Sequence, residues 1–342
     1  MKIGFRSPIA AMAVVFGMSV FTNTTDAQAT TLKFATMGPE KLQFIQCGHI
    51  QFLKSLTKKS NGKLNFKTFF AGTAFAHPLK QYDQLVRGII DMSFGVLTYL
   101  PGRFPMTNIG TLPFMMNESG AGARAMTRVY DKHLRKEFSD IHLLAIALPP
   151  LYQVQSRKKI ASVADFKGLR IRAAGRIHGQ ILKALDAVPA QIPAPAIYEN
   201  LAKGVVDGAM FPWSGLVSWK LGEVTKYSLG INLNASTLFH GMSNKAYDGL
   251  PADLKRIIDS SGGVPLAEHI SSCWRPITKK GKEMASQKGR VVTMADAKLV
   301  NAVKAKLAPI TENYLAGLEA KGMPARKVYA AIKKAVKEEE AK

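Results

Sequence analysis

The 342-residue chain is poor in three things. It has 2 cysteines, too few for a disulfide-held mini-fold. It has 24 acidic residues against 47 lysines and arginines, a formal charge of +23. Beyond the N-terminus it has no uncharged apolar run of the roughly 20 residues that a spanning helix needs. Catalytic signatures are missing too: there is no H-E-x-x-H, G-x-S-x-G, Walker A loop or C-x-x-C pair. The 7 histidines show no metal-ligand spacing, so no metal is expected. Gly120 to Ala125 fits G-x-G-x-x-A, but it follows Met115 to Ser119 rather than a strand, so it is expected to be a loop leading into a helix.

What is present is a chain that is 47% hydrophobic and 21% charged, which excludes disorder and collagen and provides for about two domains. Lys2 and Arg6 precede an apolar run from Ile9 to Phe21, and Ala27-Gln28-Ala29 follows as a cleavage pattern, so residues 1–29 are expected to be a secretory signal peptide cut near Ala29. The mature protein is then exported and soluble. A basic balance of this size suits nucleic acid, an anionic membrane or an anionic ligand. Export argues against nucleic acid, and no Cys/His finger or Arg/aromatic platform supports it; a solvated basic surface is the plainest account. Export also permits a disulfide between Cys47 and Cys273. Two separate buried thiols fit the sequence equally.

Apolar periodicity predicts a strand at 31–36, a helix carrying Leu42, Ile45, Phe52 and Leu56, a strand at Leu64 and Phe66, a helix from Pro78 to Gly88, and a strand from Ile89 to Phe94. The same alternation returns with a strand at 169–172, helices at 177–185 and 196–203, and a strand from Val205 onward. Strands separated by helices imply parallel βαβ units and an α/β class. The segments 85–91 and 201–207 share L-x-[RK]-G-[IV]-[IV]-D, 116 positions apart, which suggests two similar lobes. In each, the Gly should end a helix, the branched pair should enter a sheet, and Asp91 or Asp207 should fall near the ligand-facing end of the strand.

Five phrases carry a family resemblance: 32–36 (LKFAT), 85–92 (LVRGIIDM), 162–172 (SVADFKGLRIR), 198–208 (YENLAKGVVDG) and 220–227 (KLGEVTKY). In order and spacing they resemble the DctP-type solute-binding proteins of tripartite ATP-independent periplasmic (TRAP) transporters, over nearly the whole mature chain. The resemblance implies a two-lobed α/β periplasmic clamp that closes on a ligand in the cleft between its lobes and needs no cofactor. It also implies strands crossing between the lobes and a long helix spanning both, for which Leu266 to Lys288, kinked at Pro276, is the candidate. Lobe I would comprise 30–151 and 238–277, and lobe II 152–237 and 278–342. The partners implied are a small organic carboxylate and the membrane permease; a monomer is expected.

The family's ligand-anchoring arginine maps to Arg172. Strand alternation turns Arg170 and Arg172 the same way, so periodicity does not choose between them. A guanidinium fork holds a carboxylate bidentately, and more strongly in a closed cleft than in water. Three departures from the family bear on the ligand: Tyr152 stands where many members have a second Arg, Phe211 stands at the usual amide, and Ala194 replaces a Phe. One cation beside aromatic walls suggests a monocarboxylic acid with an apolar or aromatic tail, Tyr152, Phe211 and Trp213 shaping the wall. The plainer reading of Phe211 and Trp213 is core packing between the lobes. Thr98 and Tyr99 are expected on the opposite wall. His77, in a loop ahead of a helix, is a further candidate. Rival readings are a dicarboxylate receptor, a periplasmic enzyme on the same fold and a basic protein held to anionic surfaces.

Overall fold

The computed structural model describes Met1, Gly4 and residues 29–342, so the body of the expected signal peptide lies outside the described residues. The chain builds two sheets in turn. Strand β1 (Thr30–Thr36), helix α1 (Gln51–Lys59), β2 (Leu64–Phe69), α2 (Gln81–Val86), β3 (Met92–Val96), α3 (Ser119–Val129) and β4 (Ile141–Ala147) form the first lobe. The second takes β5 (Gln153–Ser156), β6 (Arg170–Ala173), α4 (Arg176–Ala184), β7 (Val188–Gln191), α5 (Ile197–Ala202), β8 (Gly208–Phe211) and β9 (Tyr227–Gly230). The chain then returns to the first sheet as β10 (Leu238–Ser243) and continues through the long helix α6 (Gly263–Ala285), β11 (Val291–Met294), α7 (Ala297–Glu319) and α8 (Ala325–Glu340).

Strand orders are β2-β1-β3-β10-β4 and β11-β9-β5-β8-β6-β7. The expected parallel pairing holds for β2-β1-β3 and for β7-β6-β8. The strands that arrive by crossing between sheets pair the other way: β10 is antiparallel to β3 and β4, and β5 is antiparallel to β8 and β9. The two crossing segments bond to each other, Tyr152 N donating to Asn234 O at 2.7 Å and Leu233 N to Tyr152 O at 2.9 Å. The expected crossing strands are therefore real, and Tyr152 belongs to the hinge they make.

The repeated phrase does the same job in both lobes, though not the job expected of it. Gly88 (φ +64°) and Gly204 (φ +71°) make the left-handed turn after a helix, where a Cβ would be strained. The branched pair then stays in the turn: Ile89 and Val205 are 40% and 50% exposed, and only Ile90 and Val206 bury. Strands β3 and β8 start one residue after the Asp. Asp91 accepts from Lys33 N (2.7 Å), midway along β1, and Asp207 from Arg170 N (3.0 Å), the first amide of β6, each pinning the neighbouring parallel strand. Both carboxylates thus lie at strand starts, opposite the end from which the loops reach the ligand cleft.

Gly120 to Ala125 falls in the first turns of α3, where the Glu118 side chain accepts from the amides of Gly120 and Ala121 and caps the helix. Helix α6 runs unbroken through Pro276. Near its end, Gly281 lets the Trp213 carbonyl of lobe II come so close that a Cβ would stand 2.0 Å from that oxygen. Cys47 and Cys273 form a disulfide, Cα atoms 5.7 Å apart, tying the π turn 46–50 ahead of α1 to α6. Strand β11 joins the second sheet, but α8 does not follow it into lobe II. Its Glu339 carboxylate accepts from Arg124 Nε (2.9 Å) and Arg128 Nη1 (2.6 Å) of α3, so the C-terminal helix is clamped to lobe I by ion pairs that the sequence pattern did not reveal.

Candidate functional site

Where the C-terminal ends of β3 and β8 approach each other, a cavity of about 50 Å³ lies between the lobes. Lobe I and the long helix line it with Phe44, Phe94, Val96 and Trp274, and lobe II with Phe211, Pro212 and Trp219. Phe44 stacks on Trp274 at 5.5 Å. Tyr99 and the hinge residue Tyr152 add ring faces and a hydroxyl each, and Ala194 leaves space where a larger side chain would fill it. The wall is apolar and mostly aromatic, with few polar groups, the usual character of a small-molecule pocket.

Beyond Phe211, Arg172 is 0% exposed, the largest side chain so deeply buried. Strand β6 sets it between its parallel neighbours, opposite Ala190 of β7 and Ala209 of β8, whose small side chains leave it room. Its guanidinium carbon lies 5.2 Å from the Phe211 ring centroid, a cation–π contact. Nε donates to Ile192 O (2.7 Å), Nη1 to Met210 O (3.2 Å) and Nη2 to the Tyr99 hydroxyl (3.2 Å). All three acceptors are neutral, and no Asp or Glu among the described residues forms an ion pair with it. A guanidinium has five N–H groups, so two are left to give. Burying a charge without a counter-charge costs several kcal/mol, and the site is built to receive an anion. Arg170, two residues earlier, is exposed and pairs with Asp207 at 3.2 Å, which ends its candidacy.

Tyr99 comes from lobe I and closes the contact. Its hydroxyl oxygen accepts from Arg172 and from Ala194 N (2.8 Å), and its own proton has no acceptor among the described residues. Burial raises its pKa, against the pull of Arg172, so the proton stays on at neutral pH. Tyr152 stacks on Phe211 at 5.9 Å and shares a hydrogen bond with Ser236 Oγ at 2.8 Å. Gly175, just after β6, admits the Thr98 carbonyl of lobe I; a Cβ there would stand 2.3 Å from that oxygen. The lobes are closed on each other.

Of the seven expected residues, Arg172, Tyr99, Tyr152 and Phe211 gather here. Three do not. Thr98 lines a separate cavity with Arg176 and Tyr314, its hydroxyl on Ser236 Oγ at 3.2 Å, because the turn after β3 carries it past the aromatic pocket. Trp213 packs into a second core of lobe II with Leu216 and Leu221, the core reading allowed for it. His77 is exposed and its Nδ1 accepts from Leu79 N, a local turn contact. The sequence reading missed Phe44, Phe94, Trp219 and Trp274, since an apolar residue facing a cleft and one facing a core obey the same period. It also passed over His178. Two sheets joined by crossing strands, with a cation buried between them, define a two-lobed solute receptor.

Comparison with known proteins agrees. The family described as bacterial extracellular solute-binding protein, family 7 (DctP) matches residues 36–318, and the chain belongs to it. A TRAP solute-binding protein from Rhodoferax ferrireducens, solved with copurified benzoate, is 26% identical and superposes with a TM-score of 0.88 over 92% of this chain and 99% of that one. A solute-binding protein of Albidiferax ferrireducens is 26% identical over 62% of this chain and 64% of its own length. A monocarboxylate 2-oxoacid-binding periplasmic protein of Nostoc is 27% identical over 64% of this chain and 59% of its own. The chain thus aligns with a little under two thirds of these curated relatives.

Proposed function

We propose that the chain is the exported receptor of a TRAP transporter, capturing a small monocarboxylic acid with an apolar or aromatic tail and delivering it to a membrane permease. The observation that carries this is Arg172, a fully buried cation with two N–H groups unspent and no protein carboxylate beside it. The ligand's carboxylate would complete that pair and accept a hydrogen bond from the Tyr99 hydroxyl, while its tail fills the space between Phe44, Trp274 and Trp219. Benzoate in the Rhodoferax relative and the name of the Nostoc relative support an organic acid as cargo.

A dicarboxylate is disfavoured, because no Lys or Arg lines the aromatic end and a second carboxylate would be buried without a partner. Binding rather than catalysis suits a lining that holds no carboxylate or cysteine to act as base or nucleophile. The reading includes export to the periplasm, which the N-terminal pattern of residues 1–29 supports, and a receptor that acts as a monomer. The test is a thermal-shift panel of benzoate, phenylacetate, 3-phenylpropionate, branched aliphatic acids and succinate. A ligand at 100 times its Kd adds about 2.7 kcal/mol. A shift with aromatic or branched monocarboxylates and none with succinate is expected; a shift with succinate alone would refute the specificity reading.

A further inference from the structure

His178 is the third residue of α4, and Arg172 stands on β6 four residues before the start of that helix, across a short turn. It is fully buried, and neither ring nitrogen has a hydrogen-bond partner among the described residues. An orphaned buried polar group costs about 1–3 kcal/mol, and in a native structure such a group needs an explanation. His49 and His240 share this state, but they stack on each other at 5.4 Å in the lobe I core, enclosed by Phe34, Phe52 and Phe94. His178 keeps different company. Its ring lies 5.3 Å from Tyr152, a wall of the ligand cavity, and the charge of Arg172 acts on it. Burial, with that charge, pushes its pKa down to about 3, so at neutral pH the imidazole offers one donor and one acceptor.

We propose that His178 is a hydrogen-bonding subsite beside Arg172 that selects acids carrying a hydroxyl on the carbon next to the carboxylate. The inference rests on the reading that Arg172 holds the carboxylate. The cavity residue that His178 meets is Tyr152, so in this proposal His178 serves the carboxylate end of the ligand, at C2, while the tail would lie toward Phe44 and Trp274. The guanidinium already has Ile192 O, Met210 O and the Tyr99 hydroxyl, and none of these serves the imidazole. A hydroxyl matches a neutral imidazole in either tautomer, because it both donates and accepts.

The experiment is isothermal titration at pH 7 of 3-phenylpropionate and of each enantiomer of 3-phenyllactate, against the wild type, His178→Phe and His178→Gln. One charge-free hydrogen bond made in place of an orphaned group should favour one phenyllactate enantiomer by about tenfold in the wild type. His178→Phe should abolish that preference while leaving phenylpropionate binding within about threefold, and His178→Gln should keep part of it. In parallel, nitrogen NMR of histidine-labelled wild type should show one buried ring shifting with phenyllactate and not with phenylpropionate, a readout independent of any variant's folding. Equal binding of all three acids to the wild type, or a preference that survives in His178→Phe, overturns the role of His178 and leaves Arg172 untouched. No binding of any of them overturns the carboxylate reading and this inference with it.

Discussion

Acid should unfold this protein through its buried histidines before it does so through its carboxylates. Burial pushes His178 and His240 each from 6.5 down to about 3, with Arg172 adding to the effect on the first and His269 on the second. His49 is held well below its ordinary value by burial, then by His240 and His269. The unfolded chain binds the protons of His178 and His240 near 6.5 and the folded chain only near 3. Their contribution is therefore whole above pH 6.5 and is lost as the pH falls toward 3. At pH 5, a unit and a half below 6.5, each of the two costs about 2 kcal/mol at 1.36 kcal/mol per unit, against a total stability of about 5–15 kcal/mol. Glu339 does not confuse this window: burial pushes its carboxyl up, but Lys342, Arg124 and Arg128 outweigh it and hold the pKa at about 2, so that ion pair weakens only below about 4.5. Urea unfolding at pH 7, 6 and 5 reads the slope. His240→Phe, whose ring can stack on Phe34 and meet the edge of Phe52 as the imidazole does, should flatten it by about one proton, or ~1.4 kcal/mol per pH unit. An unchanged slope in the variant would refute the reasoning.

Two further outcomes follow from close contacts. Replacing Cys47 and Cys273 together with alanine opens a crosslink between residues 226 apart in sequence and should cost about 2–5 kcal/mol, seen as a fall of several degrees in Tm; an unchanged Tm would mean that the crosslink adds nothing. Gly175→Ala puts a methyl where the Thr98 carbonyl sits, so it should hold the lobes apart, enlarge the radius of gyration in solution scattering with ligand present, and weaken binding about tenfold or more; unaltered affinity would show that closure does not use this contact.

Much of the architecture was legible because it is written in local signals. The two L-x-[RK]-G-[IV]-[IV]-D phrases announced two like lobes, and both glycines do take the positive φ that the turn requires. The role of the Asp was misjudged by its distance along the strand: it immediately precedes β3 and β8 and anchors an amide of the neighbouring strand. Arg172 was singled out by resemblance, since alternation gives Arg170 and Arg172 the same face; what separates them is that Asp207 neutralises one and nothing neutralises the other. The lining was hard to read because Phe94 and Trp274 obey the core's own periodicity and become pocket only when the lobes meet. The anchoring of α8 on lobe I rests on Arg124, Arg128 and Glu339, contacts between residues more than 200 apart that no local pattern records.

The central claim is that Arg172 lies buried and unpaired in order to hold a carboxylate. The direct measurement is the affinity of benzoate and 3-phenylpropionate for the wild type and for Arg172→Met, which keeps length and packing and removes the charge. Losing a buried charge-assisted pair should weaken binding by about a hundredfold or more, while stability without ligand holds or rises because an uncompensated buried cation is gone. Binding within a few fold of the wild type, or a variant that loses stability without ligand as much as it loses affinity, would contradict the account.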